Sequence, residues 1–113
     1  MLPSTHRLHQ EPQILNILQN GNRLETEFFH LKYLYAPNQP AKICFITSKK
    51  QFSTATTRNR VKRRYRHLLK KYLPQIKPGY QLVFMLTSNS FPANDQQINQ
   101  TLYSNLSQAQ IIK

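Results

Sequence analysis

Hydrophobic side chains along this chain change their spacing several times, and each change marks an element. In residues 12–20, Ile14, Leu15, Ile17 and Leu18 recur at helical spacing; Pro12 suits a first turn and Gly21 a stop, which predicts a helix. In residues 28–35 the spacing becomes alternate. Phe29, Leu31 and Tyr33 share one face, and Phe28, His30, Lys32 and Leu34 the other, as in a strand. After a turn at Pro37-Asn38-Gln39-Pro40, residues 42–48 predict a second, more apolar strand, and residues 23–25 a short one ahead of both. A polar loop at 49–55 leads into a long helix at 56–72. Beyond Pro74, Pro78 and Gly79, residues 80–87 hold the unbroken run Leu82-Val83-Phe84-Met85-Leu86, expected of a strand central in its sheet. Residues 94–109 predict a last helix, with Ile98, Leu102 and Leu106 spaced by four and Asn94 or Asp95 as its cap. The order α-β-β-β-α-β-α predicts an α+β fold, an α/β sandwich: a single sheet of about four strands with three helices packed on it. Short connections make residues 1–113 one domain, with residues 1–9 polar and irregular.

The helix at 56–72 carries more than a packing pattern. From Arg58 to Lys71 it holds 8 of the chain's 16 Lys and Arg within 14 residues, and no acid. Val61, Tyr65, Leu68, Leu69 and Tyr72 form one apolar stripe about 100° wide. Arg60, Lys62, Arg63, Arg64, Arg66, Lys70 and Lys71 cover the rest, and Arg58 projects near the stripe's edge. A solvated surface helix ordinarily interleaves Glu with Lys to gain pairs four residues apart. Here like charges repel along the whole helix, and Arg at its start opposes the helix dipole. A polyanion that supplies the counter-charge removes both conflicts. Arg outnumbers Lys in this segment, which favours phosphate, because guanidinium binds phosphate as a bidentate fork. Lys49 and Lys50 stand before the loop into this helix and extend the basic surface, and the Thr47 and Ser48 hydroxyls can add phosphate contacts. On a strand end these four are equally consistent with plain solvation.

Composition bounds the partner. With 16 basic and 4 acidic residues the formal net charge is +12, which leaves nucleic acid or an anionic membrane surface. No stretch approaches the ~20 apolar residues that span a bilayer. Residues 1–13 show no apolar run behind a positive segment, so a cytoplasmic location is expected. Six Tyr and six Phe are enough for a small core. Cys44 is the only cysteine and reads as a small buried hydrophobe in the run Ile43-Cys44-Phe45-Ile46. Protein-borne catalysis finds little material. Glu11, Glu25, Glu27 and Asp95 form no dense carboxylate cluster for Mg²⁺, His6 and His9 have no third ligand near, and His30 and His67 lack a catalytic partner. With only Gly21 and Gly79 there is no glycine-rich phosphate loop. No catalytic residue and no metal ligand is therefore assigned. The residues read as binding, with a general nucleic-acid binder and a self-contained nuclease as the rival classes.

Arg58-Asn59-Arg60-x-Lys62-Arg63-x-x-Arg66, preceded by Ser48-Lys49-Lys50, resembles the signature of the bacterial ribonuclease P protein family. Arg7-Leu8, Gly21, Phe29-x-Leu31 and Lys77-Pro78-Gly79-Tyr80 also fall in that family's order, so the resemblance spans about residues 5–108. It implies a left-handed crossover between parallel strands, against the usual right-handed rule. It also implies a protein subunit of ribonuclease P that assists removal of the 5′ leader from precursor tRNA, with catalysis by a partner RNA that holds Mg²⁺. No membrane and no obligate protein partner is implied. By that resemblance Lys49, Lys50, Arg58, Asn59, Arg60, Lys62, Arg63, Arg64, Arg66 and Lys70 face the catalytic RNA. The leader lies in a cleft between the first helix and the sheet, with Ile14, Leu18 and Lys32 as its contacts and Phe29 and Phe45 as further candidates, for which packing in the core is an equal alternative. Ile14 and Leu18 stand where the family often carries aromatics, Lys32 stands at a family tyrosine, and Cys44 and Ser53 at positions where glycine is common. Stacking on an aromatic is worth roughly 1–3 kcal/mol per base, so leader affinity or base preference is expected to differ.

Overall fold

The computed structural model describes residue 8 and residues 11–112; His6, Arg7 and His9 lie outside them. Each expected element forms, with ends within a residue or two of the pattern. Helix α1 is Glu11–Asn20, strands β1, β2 and β3 are Asn22–Glu25, Phe29–Tyr35 and Lys42–Ile46, helix α2 is Ala55–Lys70, strand β4 is Tyr80–Leu86 and helix α3 is Asp95–Gln108. Two 3-10 turns, Leu73–Gln75 and Ser88–Ser90, were not expected from the pattern. Local chemistry sets the ends. Thr54 caps α2 by accepting from the Thr57 amide at 3.2 Å. Asn94, not Asp95, caps α3: its Oδ1 accepts from the Gln97 amide at 2.8 Å, while the Gln97 side chain accepts from the Asn94 amide at 3.0 Å. This reciprocal pair satisfies two N-terminal amides at once.

The sheet runs β1-β2-β4-β3. β4 enters between the earlier strands, antiparallel to β2 and parallel to β3, which explains its unbroken apolar run. Leu31 lies opposite Leu24 on one side and Phe84 on the other, so alternation places one apolar row across the sheet. Phe29, Leu31, Ile43, Phe45, Leu82, Phe84 and Leu86 point to the face covered by α2 and α3. Tyr65 of α2 fills the centre of that core, with its ring 6.1 Å from Phe29 and 5.9 Å from Phe45. Ile98, Leu102 and Leu106 of α3 are fully buried in the same layer, as is Ile111 beyond it. Helix α1 covers the opposite face, where Ile17 and Leu8 bury against Val83. The chain is thus three layers with the sheet in the middle, and β3–α2–β4 is the parallel crossover.

Candidate nucleic-acid interface

The apolar stripe of α2 faces the sheet, so the helix is fixed about its own axis and the direction of every cation follows. Arg58, Lys62 and Arg66, four residues apart, line the flank nearest β3 and are half-buried. Asn59, Arg63, His67 and Lys70 point outward and are exposed. Arg60 and Arg64 line the flank nearest α3.

These positions are not equivalent. Arg64 spends its guanidinium inside the protein. Its Nε donates to Asp95 Oδ1 at 2.5 Å, one Nη donates to the Ser90 carbonyl at 2.7 Å, and the other to the Ala93 carbonyl. Its side chain is only 22% exposed. Arg64, expected on the RNA-facing set, is instead the tie between α2 and the segment entering α3. Arg58 donates to the Phe52 carbonyl at 2.8 Å and so anchors the preceding loop. Lys71 lies over the Tyr72 ring. Arg60, Lys62, Arg63, Arg66 and Lys70 make no hydrogen bond or ion pair among the described residues. Lys49 and Lys50 are exposed on a turn closed by the Phe52 amide donating to the Ser48 carbonyl at 2.9 Å. The Thr47 hydroxyl is buried without a hydrogen-bond partner, whereas Ser48 is exposed.

The α1 face of the sheet is apolar and incompletely covered. Ile14 and Leu18 pack with Leu34, Cys44, Ile46 and Met85, all half-buried. Lys32 rises from this floor, and its ammonium donates to the Leu18 carbonyl. The last turn of α1 has no basic residue of its own, so Lys32 supplies the cation that its dipole favours. Beyond α1 the face continues into a recess of about 200 Å³ lined by His30, Ile46, Ser48, Gln51, Met85 and Thr87. Ile14, Leu18 and Lys32 therefore meet as expected, but Phe29 and Phe45 do not join them. Both point to the α2 face, at 0% and 7% exposure, and belong to the core. Cys44, read as a buried hydrophobe, is half-buried on the cleft floor. Burial pushes its thiol pKa up, and the nearby Lys62 and Arg66 charges partly oppose that. Cys44, Ile46, Met85 and His30 were missed as cleft residues; their shared parity along β2, β3 and β4 was the available signal.

Glu25 pairs with Arg23, Asp95 with Arg64, and among the described residues no three His, Cys, Asp or Glu side chains gather. No described helix is long and apolar enough to cross a membrane.

Residues 2–110 match the family model for Ribonuclease P. A ribonuclease P protein component from Pseudanabaena sp. is 31% identical over 113 residues, covering 99% of this chain and 97% of the relative. Another, from Picosynechococcus sp., is 33% identical over 110 residues, covering 97% and 95%. Among solved structures, the RNase P protein of Staphylococcus aureus superposes with a TM-score of 0.82 at 18% identity, covering 96% of this chain and 98% of that one. The RNase P protein from Thermotoga maritima gives 0.79 at 23% identity, covering 90% and 96%. Those two likenesses speak for the fold: three helices on a four-stranded mixed sheet.

Proposed function

The chain belongs to the ribonuclease P protein family, and on that premise we propose that it binds the catalytic RNA of ribonuclease P and the 5′ leader of precursor tRNA, assisting endonucleolytic removal of the leader in the cytoplasm. Catalysis belongs to the RNA, which holds the Mg²⁺ ions that stabilise charge on the phosphodiester being cut. The protein supplies counter-charge and a leader track. The observation that carries this reading is the set of cations Arg60, Lys62, Arg63, Arg66 and Lys70, without hydrogen bond or ion pair among the described residues, on one acid-free helix.

Lys49, Lys50, Asn59 and those five cations make the contacts to the catalytic RNA. Arg58 and Arg64 serve it indirectly by holding the loop and α3 in place. Neutralising phosphates stabilises the folded RNA and lowers its need for Mg²⁺. The leader runs along the face framed by Ile14 and Leu18, over Cys44, Ile46 and Met85. Apolar contact replaces ring stacking there. Lys32, held against α1, adds positive field at the cleft rather than a free phosphate contact.

Precursor-tRNA cleavage at low Mg²⁺ tests this, comparing the RNA alone, the RNA with intact protein, the RNA with Lys62→Ala/Arg66→Ala protein, and the protein alone. Only the RNA with intact protein should cut well. No gain over the RNA alone would make this a general nucleic-acid binder. Affinity for the RNA should fall with salt; about five phosphate contacts give a log–log slope near −4 to −5, with the duplex coefficient as guide. A flat response would remove the electrostatic part of the proposal.

A further inference from the structure

We infer that the opposite flank of α2, the one facing α3, holds a pocket for a single unpaired nucleotide of the RNA, with its base on the Phe91 ring and its phosphate at Arg60. This rests on the reading that α2 binds RNA, and adds a contact on the side of the helix away from β3.

Phe91 is 48% exposed, directly after the Ser88–Ser90 turn. An exposed phenyl ring gains nothing by facing water. Here it borders a recess of about 400 Å³ lined by Arg60, Val61, Arg64, Phe91, Ala93 and Asp95, within the range of about 300–1,000 Å³ usual for small-ligand pockets. The recess is built in advance. Arg64 draws the Ser90 and Ala93 carbonyls and the Asp95 carboxylate onto α2, which fixes the backbone carrying Phe91. A ring held in place this way loses little freedom when a ligand stacks on it. Arg60 stands one turn before Arg64, and its guanidinium makes no hydrogen bond or ion pair among the described residues.

The lining selects the occupant. An aromatic face beside a free guanidinium matches a base and its phosphate. A paired base offers no open face, so the nucleotide must be single-stranded. Asp95 is 63% exposed, and only its Oδ1 is taken by Arg64. Its negative charge disfavours a bare phosphate or an acidic peptide on that side of the recess. The same carboxylate accepts from the N–H edge of a base. Base inside and phosphate at Arg60 is therefore the favoured orientation.

The chain contains no tryptophan, so Phe91→Trp places one indole at the pocket as a reporter. Full-length Phe91→Trp protein is titrated with a short oligoadenylate and with a duplex of the same length. The single strand should quench the indole, the duplex should not, and Arg60→Ala in the same background should weaken the quenching binding. Phe91→Ala should weaken single-strand affinity at least about 5-fold, the lower end of the stacking range. Tyr103→Trp, exposed on α3 away from the recess, should not respond to the strand. An indole at position 91 that stays unchanged at saturation, or quenches equally with duplex, overturns the proposal, as does wild-type affinity in Phe91→Ala. If in that case Lys62→Ala/Arg66→Ala still abolishes stimulation of cleavage, the RNA-binding reading of α2 survives without the pocket. If intact protein neither binds RNA nor stimulates cleavage, both fall.

Discussion

Lys32 and Arg64 are both cations of a strongly basic chain, yet each spends its charge within the protein. For Arg64 the consequence is energetic. Arg64→Ala removes hydrogen bonds that a charged donor makes to two carbonyls and the Asp95 carboxylate. Such bonds contribute about 1.5–3 kcal/mol each at most, and solvent reaches part of this group, so a loss of about 2–3 kcal/mol in urea unfolding is expected. Arg63→Ala, exposed and unpaired, should stay within about 0.5 kcal/mol. Tyr65 sets an alkaline limit. Burial raises its pKa from 10 to about 12, against the opposing effects of the Ser90 hydrogen bond and the Arg64 charge. The folded state thus keeps a proton that the unfolded chain releases. That stabilising contribution is complete below pH 10 and is lost as pH climbs toward about 12. Melting temperature over that interval should fall less steeply for Tyr65→Phe than for the intact chain, after a drop at neutral pH from losing the bond to Ser90 Oγ.

Helix ends decide how the elements lock together. Removing the Asn94 side chain of the α3 capping box (Asn94→Ala) should cost about 1 kcal/mol, measurable by denaturant titration. Gly21 is tighter: a Cβ there would stand 2.5 Å from the Ile17 carbonyl oxygen and 3.1 Å from that of Tyr33. Gly21→Ala must therefore distort the C-terminal turn of α1 and press on its contact with β2. It should weaken discrimination of precursor from mature tRNA while leaving affinity for the catalytic RNA nearly unchanged, a split that substrate competition assays resolve. The same elements show what local pattern could and could not reveal. The α2 stripe and the β4 run were legible because each is written in consecutive residues. Phe29 and Lys32 are three apart on one strand, so alternation already put them on opposite faces. Which face α1 would cover depends on the packing of a different segment, and Phe29 and Phe45 went to the core. The role of Arg64 was equally hidden, because Asp95 is 31 residues away and only the fold brings them together.

Taken whole, the molecule concentrates like charge on one side of a small core. A net charge of +12 works against compaction, and an anion that binds the folded surface offsets it by mass action. Replacing chloride by sulfate at constant ionic strength should raise the melting temperature, and by less in Lys62→Ala/Arg66→Ala, which separates site binding from the general salting effect. The strand order β1-β2-β4-β3 leaves β3 at the rim of the sheet, beside that charge. There the Leu8 amide donates to the Ile43 carbonyl at 2.9 Å, and the Leu8 side chain buries against Ile17 and Val83. A bare rim strand is a template on which another polypeptide can add itself. Leu8 occupies one of its outward acceptors, so a variant shortened past this residue is expected to stick to copies of itself rather than merely melt earlier, and the atoms of Leu8 laid against β3 act as a guard against self-polymerisation.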